Sequence, residues 1–315
     1  MQSLKKKKRL LILGGSSLLA YLWVKKVNHK YEIFITKNKY CINYMGLEAI
    51  DIDIFSVNSV QRILESYNID IVINCIGLTN VEACEKNPVE AFKLNSQLPG
   101  IVANACNFTN TKLIHISTDH LFDDQNILYS EEDEVKLLNV YAKSKYEGEL
   151  EVLTNYQSSI ICRTNFFGYG PSHKNSFSDW IEKSAKNNEN IVLFKDVYFT
   201  PVSGENLAFF AHQLLENNYS GIFNISSNNK ISKFEFGKML CKKLNISSYS
   251  ILPGSIDDRS DIVKRPKCMS LSNTKLTKAI KNQNLSIEMQ IESILKKWEA
   301  TNLQLIILII FSFKS

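Results

Sequence analysis

Between residues 9 and 163 the chain alternates short apolar runs with helical patterns, and that rhythm leaves few folds open. Strands that alternate with helices are joined by crossovers, so they lie parallel in one sheet with helices on both faces. Runs at 9–13, 31–36, 69–75, 113–117 and 158–163 read as such strands. Helical patterns fill 17–27, 59–67 and 139–153. A further helix starts at Asn87-Pro88, where Asn caps and Pro suits the first helical position. It runs past residue 93 and ends or bends before Pro99.

After Thr164 the rhythm changes. Residues 166–175, rich in Gly, aromatic and polar side chains, read as a functional loop. Residues 177–186 form a helix, 191–194 and 221–225 short strands, and 233–244 an amphipathic helix. The fold class is therefore α/β, a Rossmann-type doubly wound parallel sheet. A first domain spans 8–164, and 191–225 returns to the sheet. A smaller C-terminal domain comprises 165–190 and 226–300, followed by an apolar tail, 301–315, of unassigned role.

Bulk properties exclude several classes. The net charge of +5 is small and comes partly from the basic run at 5–9, so no nucleic-acid partner is expected. That run and the apolar residues after it have the outline of a signal peptide, but the sheet needs its first strand there. The apolar stretch at 303–313 is about eleven residues long, too short at 1.5 Å per residue to cross roughly 30 Å of hydrocarbon, and membrane association is not expected. Seven cysteines, an odd number without a Cys-x-x-Cys pair, read as small core residues in a reducing, cytoplasmic compartment. No metal site is expected.

The chemistry concentrates in Tyr141 and Lys145 of Tyr-Ala-Lys-Ser-Lys. Four residues apart on a helix, they share one face. A free phenol has a pKa of about 10, and a nearby ammonium lowers it. Ser117-Thr118-Asp119 ends an apolar strand some two dozen residues earlier, at the strand end where open α/β sheets place ligands. By themselves Ser117-Thr118 also read as a strand-end cap, and Tyr-x-x-x-Lys as a solvated helix pair.

Together these motifs resemble the extended short-chain dehydrogenase/reductases, and within them the dTDP-4-dehydrorhamnose reductase family. Asn74-Cys-Ile-Gly77 stands where that family has Asn-Ala-Ala. Ser117-Thr-Asp-His-Leu-Phe122 matches Ser-Thr-Asp-Tyr-Val-Phe, with His120 in place of tyrosine, and Leu138-Asn-Val-Tyr-Ala-Lys-Ser-Lys145 matches closely. Arg163-Thr164 and Arg265-Pro266 also fit. The resemblance implies hydride transfer from NADPH or NADH to a nucleotide-linked keto-sugar, a dinucleotide-binding domain at 8–164, a smaller substrate-binding domain at 165–190 and 226–300, and a homodimer. It implies Tyr141 as proton donor, Lys145 as the cation that lowers the tyrosine pKa and binds the nicotinamide ribose, and Thr118 on the carbonyl oxygen with Ser117 as its understudy. Gly14, Ser16, Ser17, Leu18, Asp53, Ile54, Asn74, Cys75, Ile76, Gly77 and Asn165 would line the cofactor. Thr79, His120, Asn175, Phe177 and Arg265 would meet the substrate, Arg265 because a guanidinium donates in pairs to a diphosphate.

The phosphate loop departs from the family's Gly-x-x-Gly-x-x-Gly. Gly14 keeps the first position, while Ser17 and Ala20 replace the other two glycines. A serine forced to φ > 0 would be strained. No acid ends the second strand; Lys37 and Lys39 follow it, and a cation there accommodates a 2′-phosphate, which favours NADPH. Two other readings stay open. One is an epimerase or dehydratase on the same scaffold, although Asp119-His120 offers one acid where dehydratases show a pair. The other is a non-catalytic regulatory subunit of the same fold, like the one that partners methionine adenosyltransferase.

Overall fold

Seven parallel strands form one sheet: β1 (Arg9–Leu13), β2 (Glu32–Thr36), β3 (Glu48–Ile50), β4 (Ile71–Asn74), β5 (Lys112–Ile116), β6 (Ile160–Arg163) and β7 (Gly221–Asn224). Their order is β3-β2-β1-β4-β5-β6-β7. The chain runs outward from β1 to β3, then returns to β4 on the other side of β1. This reversal opens a crevice above the carboxyl ends of β1 and β4. The computed structural model describes residues 6–36, 46–122, 127–171, 175–281 and 285–295. Lys37, Lys39, Cys41 and the 301–315 tail lie outside the described residues.

Alternation along β1 divides the core. Leu10 and Ile12 face one side, with Trp23 and Val24 of α1 (Leu18–Val27). Leu11 and Leu13 face the other, with Val60 of α2 (Val57–Ser66), Val102 of α3 (Leu98–Phe108) and Val152 of α4 (Val140–Asn155). The helix begun at Pro88 does not end before Pro99: Pro88–Phe92 continues through a π-helical turn, Lys93–Gln97, into α3.

Beyond β6, α5 (Phe177–Lys186), α6 (Gly204–Glu216) and α7 (Lys233–Lys243) follow. Of the 191–225 stretch, only β7 joins the large sheet. Ile191–Phe194 pairs instead with Ile251–Gly254 in a parallel ribbon, because its inward residues Ile191 and Leu193 pack with Ile181, Phe236 and Leu240 in a separate core. Among the described residues no helix is long and apolar enough to cross a membrane.

One buried contact between α1 and α6 makes stability pH-dependent. Trp23 Nε1 donates to His212 Nε2 at 3.0 Å, and the Tyr31 ring lies 4.8 Å from the imidazole. A ring nitrogen that accepts must be unprotonated. Burial pushes His212 down to about 4, against about 6.5 in an unfolded chain. The folded pKa is the depressed one, so this contribution is complete above pH 6.5 and is lost as the pH falls toward 4. At about 1.4 kcal/mol per pKa unit it is on the order of 3 kcal/mol. Urea unfolding of the wild type and of His212→Gln should show the wild type's advantage shrinking between pH 7 and 4.5; a constant gap would contradict the assignment.

Candidate active site

The turn between β1 and α1 is the first wall of the site. Gly14 adopts φ +82° and its N–H donates to Thr36 Oγ1 at 2.9 Å. A Cβ there would stand 3.0 Å from the Ile76 side chain and 3.3 Å from backbone atoms of Cys75 and Ile76. A Cβ on Gly15 would meet Ile35 Cβ at 2.8 Å. Both positions therefore require glycine. Ser17 does not: its φ is −77°, and its side chain caps α1 by accepting from Ala20 N–H at 3.1 Å. The strain expected of a serine in this loop is absent, since Gly14 alone carries the positive φ. Ser16 is half-buried within the turn.

Below this helix end lies a cavity of about 320 Å³. Ser17 and Leu18 line it from the start of α1, Cys75, Ile76, Gly77 and Thr79 from the segment after β4, and Ser117 to His120 from the segment after β5. Tyr141 and Lys145 enter from α4, and Asn165 from the end of β6. The sequence explains the convergence. Asn139 caps α4 by accepting from Ala142 N–H at 2.9 Å, so the helix starts at the cavity and its first turn carries Tyr141. The side-chain amide of Asn139 also donates to Lys264 O at 2.9 Å, fixing the later segment beside it.

Several predicted residues lie elsewhere. Asn74 is buried beneath the cavity, where its amide contacts His115 Nδ1 at 3.2 Å and its oxygen accepts from Ile76 N–H at 3.1 Å; it shapes the wall instead of lining it. Asp53 is exposed in the turn before α2 and accepts from Phe55 N–H, and Ile54 packs into the core beside it. Asn175 is exposed in a separate depression. The Phe177 ring turns inward onto Phe236, 5.9 Å away. Arg265 is drawn off by an ion pair with Glu82. Ser117 is not free to replace Thr118, because its hydroxyl donates to the buried Glu149.

Electrostatics set the resting state. Burial raises the Tyr141 phenol above its ordinary pKa; Thr118 opposes that shift and Asp119 adds to it. The expected lowering by Lys145 is overridden, because burial dominates and the ammonium is directed at Ile116 O, 2.6 Å away. Tyr141 is thus a neutral phenol with its proton in place. Burial pushes Lys145 down to about 8, against the pull of Glu149. Asp119 is buried, accepts from Asn165 Nδ2 at 2.8 Å, and is pushed up to about 6 by burial while Lys233 lowers it. His120 meets the Tyr141 ring edge-on at 5.3 Å; burial, Lys233 and Arg265 hold it neutral, down to about 3.

Lys233 escaped the sequence reading. Its ammonium lies 3.3 Å from the Phe199 ring centroid and acts on Asp119 from the start of α7. The available signal was a lysine at a helix N-terminus, where the macrodipole disfavours a cation.

A doubly wound sheet with a glycine turn after β1, and Thr118, Tyr141 and Lys145 on one cavity beside it, is the arrangement of an extended short-chain dehydrogenase/reductase. The chain belongs to the RmlD substrate binding domain family, which matches residues 8–300. A probable low-salt glycan biosynthesis reductase of Haloferax volcanii is 31% identical over 229 residues, 70% of this chain and 76% of that one. A dTDP-4-dehydrorhamnose reductase of Aggregatibacter actinomycetemcomitans is 30% identical over 66% of this chain and 67% of its own. Methionine adenosyltransferase 2 subunit beta of Pongo abelii is 27% identical over 71% and 69%. In fold, the chain is similar to the dTDP-4-dehydrorhamnose reductase of Bacillus anthracis, solved with NADP. The TM-score is 0.81 at 24% identity, covering 93% of this chain and 100% of that one.

Proposed function

We propose that the protein is an NAD(P)H-dependent reductase of a nucleotide-linked keto-sugar, with Tyr141 as proton donor. The observation that carries this is the convergence of Thr118, Tyr141 and Lys145 on one cavity with the phosphate turn. The relatives named as reductases of glycan and rhamnose synthesis support it.

The turn at Gly14 and Gly15 suits a dinucleotide, since glycine at both lets it pack closely on β2 and on the segment after β4, with the α1 N-terminus at Ser17 lining the cavity. Ser17 has its hydroxyl proton free to donate while its oxygen caps the helix. The nicotinamide supplies the hydride when bound. Thr118 orients the sugar carbonyl, and Tyr141 delivers its phenolic proton to the carbonyl oxygen as negative charge develops there. Lys145 favours the resulting phenolate through its charge. Asn165 fixes Asp119, whose carboxylate sits behind Thr118. His120, neutral, offers a hydrogen bond to a sugar hydroxyl where the family has a phenol. A cytoplasmic site and a homodimer belong to this reading; the free thiols of the described cysteines support the first, and light scattering tests the second.

Calorimetry should show binding of NADPH above NADH, if Lys37 or Lys39 meets the 2′-phosphate, and purified protein should oxidise NADPH with dTDP-4-dehydrorhamnose. Absence of binding at millimolar cofactor would overturn the reading. The similarity to methionine adenosyltransferase 2 subunit beta favours a second one, a regulatory subunit. Cofactor binding without turnover of any nucleotide-keto-sugar would select it.

A further inference from the structure

Glu149 lies one turn beyond Lys145 on the same face of α4 and is fully buried. A carboxylate there has to be paired. Arg163, at the end of β6, donates from Nε at 3.0 and 3.1 Å and from Nη2 at 2.7 Å. Ser117 donates to Oε1. Such a network joins β5, β6 and α4, and could serve the fold alone. Its place along the chain ties it to the chemistry. Ile116 O receives the Lys145 ammonium, Ser117 is held by Glu149, and Thr118 follows directly. Lys145 and Glu149 thus grip consecutive residues of the strand end that presents Thr118.

We propose that Glu149 is a positioning residue for the reaction, holding Lys145 as an ammonium and fixing the end of β5 so that Thr118 faces Tyr141. The proposal rests on the reading of Lys145 as the working cation. The other groups facing Lys145 do not replace the carboxylate. Tyr141, on its own helix, is neutral. Cys75, after β4, is a thiol pushed up to about 12 by burial. His115, on β5, is held neutral by burial and by Lys145 itself. Arg163, on β6, is itself a cation, paired with Glu149. Glu149 therefore supplies the negative charge that keeps a buried lysine protonated.

The test is the titration of Lys145, followed by NMR of protein labelled at the lysine Cε and assigned with Lys145→Met. The wild type should titrate near 8. Glu149→Gln keeps the shape and an acceptor for Ser117, and should weaken proton binding at Lys145 by about tenfold or more. Because Arg163 would then be a buried unpaired charge, the double variant Glu149→Gln/Arg163→Gln is made alongside; it leaves no lone charge, and should shift Lys145 in the same direction by less. The alkaline limb of kcat/KM for NADPH-dependent reduction of dTDP-4-dehydrorhamnose should move to lower pH in both. An unchanged Lys145 titration in the folded single or double variant overturns the proposal, even with a lowered melting temperature, since that pattern is a fold role only. Should the wild type fail to reduce this sugar, the NMR titration still decides the matter.

Discussion

Tyr141→Phe is expected to lower kcat by about 10²-fold or more while leaving cofactor affinity nearly unchanged. The ring has a place to pack without its hydroxyl: it meets His120 edge-on and sits among Val81, Cys84 and Ala91. The substitution therefore removes the phenolic hydroxyl, the proton donor of the proposed reaction, and little else. An interaction made chiefly in the transition state lowers kcat and kcat/KM together. Thr118→Val should also cost about tenfold or more, because the neighbouring Ser117 hydroxyl is committed to Glu149 and cannot take over. Steady-state kinetics with NADPH and dTDP-4-dehydrorhamnose check both. Near-wild-type turnover by Tyr141→Phe would mean that another group delivers the proton, and His120, at its edge, would be the first to test.

What the sequence revealed follows from how far each interaction reaches along the chain. The strands of the first half were legible because parallel strands, buried on both faces, read as apolar runs, and β1 is bounded where the run is. The helix α6 was missed although it was legible: Leu207, Ala208, Phe210, Ala211, Leu214 and Leu215 fall on one face at helical spacing, and Ser203 caps the start. The three-residue β3 is too short for any periodicity. Thr118, Tyr141 and Lys145 were legible because each sits in a compact motif. Arg163 could be read as a buried cation in need of a carboxylate, yet nothing in the spacing named Glu149. Arg265 was chosen for what a guanidinium can bind. Its pairing with Glu82, far away in sequence, is a product of the tertiary fold. Asn175 and Phe177 were placed by resemblance; Asn175 lies in a separate depression and the Phe177 ring packs on Phe236.

The largest effect on stability is expected at Gly148, in the middle of α4. By helix propensity, alanine should be better there by about 1 kcal/mol. The packing reverses that. A Cβ on Gly148 would overlap the carbonyl oxygen of Asn95 and stand 3.1 Å from its carbonyl carbon. Both are backbone atoms of the π-helical turn, which has no rotamer through which to yield. Overpacking of this kind costs about 1–3 kcal/mol and more where backbone must move, so Gly148→Ala should lose about 3 kcal/mol net. The damage should reach the site as well. The close approach lets the Asn95 side chain accept from Leu78 N–H at 2.8 Å and donate to Leu78 O and Ser144 Oγ, each at 3.0 Å. Those bonds fix the segment from Gly77 to Thr79 that lines the cavity. Weaker NADPH binding should therefore accompany the lower stability. Urea unfolding measures the first effect and calorimetry the second. A variant as stable as the wild type would show that the two helices can part without cost, and would leave the π-helical turn without the steric reason given to it.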